Sequence, residues 1–510
     1  MAIKPIFKKA YWSLVTAGGL YFAFISLLLN GWIQRQAFYA HRIHSTWLHD
    51  PNKPENFGFL KNQVQRLNII TPDGEILFGW HVLPLTLYAE NERALIGQPF
   101  GAEDYEKSLA FKLLAEDPES RLIIYFHGNA GTVAQGWRTD TYRAITAGAS
   151  DKIHVLTVDY RGYGKSTGSP TEAGLITDGI SLARYAMEIA HVSPERIVIV
   201  GQSLGSAVAT AAAEHFAVEY AVEFRCLILC AAFSDVPTLM STYTIGGLIP
   251  ILSPLKPYPF LSQFFAKRIQ ETWFTFKRLA NLVRKSKNVN IHLIHATNDY
   301  DIPWSHSDAL FHAAANATSS EGLTMKQIDA VKMNVDLGES GWTNTWRTVQ
   351  EDGGRKIIRQ DIVKHGVPYE LAISQQWTNQ SNINSEPVEK QPTIENGSKY
   401  NSNVISEPVF EQPTIKHTPK YNPDSIQKPK HSARMPPPPP PRPPSLPRLH
   451  PHPAPPAPHG PARTPPPPPN HRVLPPRTKR AEFITPDQRA IFGPAVEPFE
   501  MADRVGSDGL

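Results

Sequence analysis

Short, almost unbroken apolar runs alternate with helix-period stretches through most of the first 370 residues. The runs are "RLIIYFHGNAG" (121–131), "KIHVLTVDYRGYG" (152–164), "RIVIVG" (196–201), "RCLILCAAF" (225–233), "NIHLIHA" (290–296) and "RKIIRQDIVKH" (355–365). Strands that are apolar at nearly every position, rather than at alternate ones, predict a parallel sheet covered by helices on both faces. Upstream, Gln63 to Thr71 and Glu75 to Pro84 predict a two-strand hairpin, with Pro72-Asp73-Gly74 as its turn. Between the strands, "SPTEAGLITDGISLARYAMEIA" predicts a helix with Ser169 as N-cap, Pro170 at the first position and Glu172 three after the cap. Further helices are expected from Ser203 to about Ala217 and over "SHSDALFHAAANA". In such sheets ligands bind beyond the carboxyl ends of the strands, so chemistry is expected just after each run.

A different pattern opens the chain. Ala10 to Ile33 is a run of 24 residues without a charge, long enough to cross a bilayer as a helix. Lys4, Lys8 and Lys9 precede it and Arg35 follows, which predicts an uncleaved anchor with a cytoplasmic N-terminus and the remainder on the lumenal side, in the endoplasmic reticulum. The sequons at Asn316, Asn379 and Asn396 are compatible with that side. The anchor with its flank is taken as residues 1–35, the folded domain as 36–375 and a tail as 376–510.

Composition changes the picture mainly for the tail. Between Lys416 and Arg480 there are 25 prolines and 12 Lys or Arg against one acid, Asp424, so this segment carries +11 and the rest of the chain −7 of the total +4. The basicity therefore belongs to the tail and gives no reason to expect nucleic acid at the folded part. With "SEPVEKQPTI" and "SEPVFEQPTI" 21 residues apart, then runs of six and five prolines, the tail is expected to be disordered and able to offer polyproline II to a partner. Cys226 and Cys230 on one strand would lie ~13 Å apart, too far for a disulfide, and are expected to be buried thiols.

The chemistry sits where the strands end. Gly201-Gln202-Ser203-Leu204-Gly205 follows "RIVIVG" and opens a small-residue helix, which makes Ser203 the expected nucleophile on a sharp strand-to-helix turn. "HGNAG" (127–131) ends an earlier strand, and the N–H groups of Asn129 and Leu204 are assigned to an oxyanion hole. His127 is given a packed, hydrogen-bonded role. Asp299, at the exit of "NIHLIHA", is preferred over Asp301 as the acid. His365, in "IVKHGVP", is preferred over His306 and His312 as the base, since the order serine, acid, histidine belongs to this arrangement and the other two lie on a helix running away from the acid. No cofactor or metal is required.

"YFHGNAG", "VDYRGYGKSTGSPTEAGL", "GQSLGSAVA" and "HATNDYDIP" together resemble the α/β-hydrolase domain-containing lipases, most of all the membrane-anchored monoacylglycerol and lysophosphatidylserine lipases. The resemblance covers about residues 60–370 and implies an α/β-hydrolase fold and a lipid ester substrate, cleaved through Ser203, His365 and Asp299. It departs from the family in the wide gap from Asp299 to His365, which are 66 residues apart, and in the tail. A lid is expected at about 236–288: an apolar, proline-dotted stretch, "TIGGLIPILSPLKPYPFLSQFF", and then a basic helix, "KRIQETWFTFKRLANLVRKSK". These would suit an acyl chain and an anionic membrane surface respectively, or an ordinary packed cap. Two other classes share the pattern: a catalytically dead fold serving as a membrane scaffold, which a missing triad residue would signal, and a thioesterase or peptidase. His154 to Asp159 fits an H-x-x-x-x-D acyltransferase pattern, but it lies along a strand.

Overall fold

The computed structural model describes residues 5–364, apart from 45–48, 99–101, 246–248 and 256. The tail, with its repeats and proline runs, and His365 lie outside the described residues, as do Asn379 and Asn396. Ten strands form one sheet among the described residues: β1 (Val64–Ile70), β2 (Ile76–Val82), β3 (Arg121–Phe126), β4 (Ile153–Val158), β5 (Ile197–Gln202), β6 (Cys226–Cys230), β7 (Val289–Ala296), β8 (Met333–Asp336), β9 (Gly341–Val349) and β10 (Arg355–Val363). Their order is β1-β2-β4-β3-β5-β6-β7-β10-β9-β8. The middle, from β4 to β10, is parallel, and antiparallel pairs close both edges. This is the fold of an α/β hydrolase.

The central strands are buried along nearly their whole length, as their unbroken apolar runs require. Alternate residues serve opposite faces. Ile124 and Phe126 join one core cluster with helices α6 (Glu172–Arg184), α7 (Leu204–Tyr220), α10 (Thr275–Lys285) and α11 (Ser305–Asn316), while Ile123 and Tyr125 join the other with α5 (Arg138–Ala147). Cys226 and Cys230 are buried thiols in the second cluster. The remaining helices are α1 (Pro5–Leu27), α2 (Gly31–Tyr39), α3 (Leu85–Ile96), α4 (Leu109–Ala115), α8 (Val236–Thr242), α9 (Pro259–Ala266) and α12 (Met325–Val331).

Several expectations are corrected. The apolar run 10–33 is not one helix: α1 ends at Leu27, and Asn30 Oδ1 accepts the N–H groups of Trp32 and Ile33 to start α2, a short polar cap that outcompetes continuation. Within α1, Lys8–Leu27 is long and apolar enough to cross a membrane. The cap of α6 is Thr171, whose Oγ1 accepts from Gly174 N at 3.0 Å, rather than Ser169. The basic helix is confined to Thr275–Lys285, and it is a packed layer helix rather than part of a lid. Leu279, Ala280, Leu282 and Val283 are buried toward α7 and α11, and Arg278 pairs with Glu214 at 3.0 Å. The last strand ends at Val363 rather than residue 365. The long separation of Asp299 from His365 is filled by α11, α12 and the antiparallel strands β8 and β9, the last two unforeseen from their polar sequence.

Candidate active site

Ser203 sits between β5 and α7 with φ +51° and ψ −118°, a conformation costly for any residue with a Cβ. The flanking glycines explain how the turn closes. A Cβ on Gly201 would stand 2.3 Å from Gly205 O, and one on Gly205 would stand 2.1 Å from Phe126 O, so no larger residue fits either position. Ser203 N donates to Cys230 O at 2.9 Å, pinning the turn to the exit of β6. The serine is half-buried. Leu204 is the first residue of α7, so its N–H has no acceptor within the helix.

The loop after β3 lies against this turn: a Cβ on Gly128 would be 3.5 Å from Ser203 Cβ. Arg138, buried at the start of α5, donates to the carbonyls of Gly128 (3.0 Å), Asn129 (3.1 Å), Ala130 (2.9 Å) and Thr132 (2.6 Å). Since Gly128 C=O and Asn129 N–H share one trans peptide plane, a guanidinium holding the carbonyl turns that N–H the opposite way. The next two N–H groups are engaged elsewhere: Ala130 N donates to Tyr39 O at 3.3 Å and Gly131 N to Ile43 O at 2.8 Å. The segment after α2 thus straps the loop, and Tyr163 Oη donates to the same Tyr39 carbonyl at 2.8 Å. Sequence reasoning missed both Arg138 and this strap: their bonds run to backbone carbonyls and N–H groups, which are alike at every residue, so neither leaves a mark in the sequence.

His127 is fully buried, its ring 4.3 Å from that of Tyr160 and its Nδ1 2.8 Å from Gly128 O, the packed role expected of it. Burial first, then the nearby Arg138 charge, lowers its pKa well below the ordinary range. His154 stacks on His81 with Nδ1 2.9 Å from His81 Nε2, and Asp159 accepts from Val133 N at 2.6 Å. The H-x-x-x-x-D pattern is therefore spent in the core.

Asp299 follows β7 in a tight turn. Its Oδ1 accepts from Asp301 N (3.1 Å) and Ile302 N (2.9 Å), and its Oδ2 lies 3.6 Å from His295 Nε2. Burial pushes the carboxyl up, but the His295 imidazole and the two backbone donors outweigh it and hold it below the usual range. Asp301 is exposed, and burial together with the Asp299 charge raises it. Tyr243, just past α8, is raised by burial and by both carboxylates, so the segment after α8 borders Asp299 and Asp301. His306 is buried with Nδ1 3.0 Å from Ser234 Oγ, and His312 is buried with Nε2 3.0 Å from Asp329 Oδ1; both are packing residues. Thr297 N donates to Val363 O (2.8 Å) and Thr297 Oγ1 to Lys364 O (2.8 Å), tying the end of β10 to the turn holding Asp299. Asn316, the sequon residue within the described part, donates through Nδ2 to Leu323 O at 2.8 Å.

Residues 123–322 match the model of the alpha/beta hydrolase family. Over that span the chain is similar to this family, in keeping with its α/β-hydrolase fold. The chain is similar to the lysophosphatidylserine lipase ABHD12 of Danio rerio, 27% identical over 290 residues that cover 57% of this chain and 68% of that protein. The same enzyme of Xenopus tropicalis is 27% identical over 307 residues, 60% and 71% of the two chains. Protein bem46 of Schizosaccharomyces pombe is 39% identical over 139 residues, 27% of this chain and 44% of bem46.

Arg138→Met in this hydrolase is expected to lower kcat on a water-soluble ester by roughly 10²-fold, about the value of one oxyanion donor, while KM stays within about twofold. Steady-state kinetics read the split; a change confined to KM would show that the guanidinium does not position the loop.

Proposed function

We propose that the protein is a membrane-anchored serine hydrolase that cleaves carboxylic esters of lipids, a lysophospholipid or a monoacylglycerol. The observation that carries this reading is Ser203 on a strained turn at the carboxyl end of a central strand, with the Arg138-held loop against it. In this mechanism His365 takes the Ser203 proton as Oγ attacks the ester carbonyl. Asp299 fixes the imidazole tautomer and stabilises the imidazolium. The N–H groups of Leu204 and Asn129 offset the charge on the tetrahedral oxygen. The alcohol leaves with the proton, and water, activated by the same imidazole, hydrolyses the acyl-serine. Support for His365 comes from its neighbour: Lys364, the last described residue, is bonded to Thr297, two residues before Asp299.

The lipid part of the reading rests on the relatives named as lysophosphatidylserine lipases, on the apolar cap and on α1. With Lys4, Lys8 and Lys9 before the span, the hydrolase domain is placed on the lumenal side of the endoplasmic reticulum, which protease protection in intact microsomes tests. Purified full-length protein is expected to release fatty acid from lysophosphatidylserine or monoacylglycerol in detergent micelles. Release from neither, with short esters or thioesters cleaved instead, would move the substrate class away from lipids.

A further inference from the structure

Through most of its length α1 touches nothing: between Lys8 and Leu20 every side chain is exposed. Among the described side chains, it meets the folded body at its last turns. Ile25 is buried against Leu252, Leu255 and Phe265 of the cap, with Tyr21 packed alongside, and Tyr21 Oη donates to Ile251 O at 2.7 Å. In α2, Gln34 Nε2 donates to Arg268 O at 2.8 Å and Gln34 Oε1 accepts from Gln270 N at 3.1 Å. This segment is thus clamped to the last turns of α1 and, beyond them, to α2.

This clamp fixes the depth of the cap. Tyr21 lies six residues before the end of α1, about 9 Å along a helix that rises 1.5 Å per residue. If α1 spans a bilayer up to Leu27, the cap segment bonded to Tyr21 is drawn below the surface of the leaflet. The sequence of the cap suits that depth. On α9 and the residue before it, Tyr258, Phe260 and Leu261 are 60%, 79% and 38% exposed, while Phe265 on the opposite side is buried against α1. Lys267 and Arg268 follow, and the Arg268 guanidinium stands 3.5 Å over the Phe264 ring. An apolar face ending in two cations is the pattern of an interfacial helix, with its ring edges among acyl chains and its charges at anionic headgroups. The Tyr21 bond meanwhile satisfies a backbone carbonyl that water would not reach there.

We infer that α9 is a second membrane contact, an interfacial helix seated in the leaflet by α1, so that the lipid bilayer docks on the cap of the site. The inference rests on the anchoring half of the proposed function. Ester lipids would then reach Ser203 from the leaflet beside α9 instead of through water.

Nitroxide scanning of the full-length protein in phosphatidylcholine vesicles containing one-fifth phosphatidylserine tests it. Cys226 and Cys230 are both buried, so labels go to Phe260→Cys, to Leu14→Cys within α1, and to Glu119→Cys at the far end of the sheet. Oxygen accessibility above that of a nickel chelate at 260 and at 14, and the reverse at 119, is the expected result. An aqueous 260 with a lipid-exposed 14 overturns the docking of α9 and leaves the anchor standing. An aqueous 14 removes the anchor and the inference together. Spin–spin broadening at 260 that grows with protein density overturns it in favour of a second copy of the chain on α9. Phe260→Asp is further expected to slow hydrolysis of vesicle-borne ester about tenfold more than hydrolysis of a short soluble ester; equal slowing would place the effect in the site and not at the membrane.

Discussion

Ser203→Ala is expected to end covalent labelling by a fluorophosphonate probe and to lower ester hydrolysis by about 10⁶-fold, the scale of removing the nucleophile from a serine triad. Without Oγ no acyl-enzyme forms, and the remaining N–H donors and the binding site supply only a residual rate. The substitution keeps the Cβ, and with it the backbone cost of φ +51°. Ser203→Gly separates chemistry from conformation: it is equally inactive, yet its melting temperature rises, because glycine adopts that φ freely and the stored strain of order 1 kcal/mol is released. Thermal melts of the three proteins, run beside the labelling, check both parts. Persistent labelling of Ser203→Ala would remove the serine from the mechanism. His365→Ala is expected to match Ser203→Ala in rate while keeping its fold.

Asp299→Asn is expected to lower kcat by about 10⁴-fold, and Asp301→Asn to change it less than about threefold. An asparagine retains the Oδ1 acceptor for the N–H groups of Asp301 and Ile302, so the turn survives and the loss is electronic: the amide cannot hold the imidazole in the tautomer that accepts from serine. Since the Asp299 carboxyl is held below the ordinary range, the charge is present throughout neutral pH, and the acid limb of the rate profile belongs to the base. Parallel kcat measurements on the two variants decide between the carboxylates. A larger loss at 301 would exchange their roles, which burial argues against, since Asp301 is the more exposed of the two.

These two residues were legible in the sequence for the same reason that the sheet was. A strand buried on both faces must be apolar throughout, so its end is marked by the first polar residue, and Ser203 and Asp299 are each found within three residues of such an end. The elbow is equally local, since both of its glycines are demanded by atoms that a Cβ would strike. Other assignments failed where the deciding partner is remote. Ser169 and Thr171 offer the same hydroxyl chemistry, and only the path of the chain selects Thr171. The helix at 275–285 has a basic face in sequence, but Glu214 and Glu172, from two other helices, claim Arg278. β8 and β9 carry polar residues because they lie toward an edge of the sheet, where alternation replaces the continuous apolar signal.

By itself, then, the sequence determined a helix able to span a membrane, a parallel sheet and a serine raised at its carboxyl edge, since each follows from contacts within a few residues or from burial that composition enforces. Only the tertiary structure decided what holds the loop beside that serine and what grips the cap. Arg138 acts through four carbonyls, the strap after α2 through Tyr39 and Ile43, and α1 through Tyr21 and Ile25. Backbone acceptors are alike at every residue, and apolar contacts are satisfied by many partners. Their choice therefore depends on which segments the fold brings within reach.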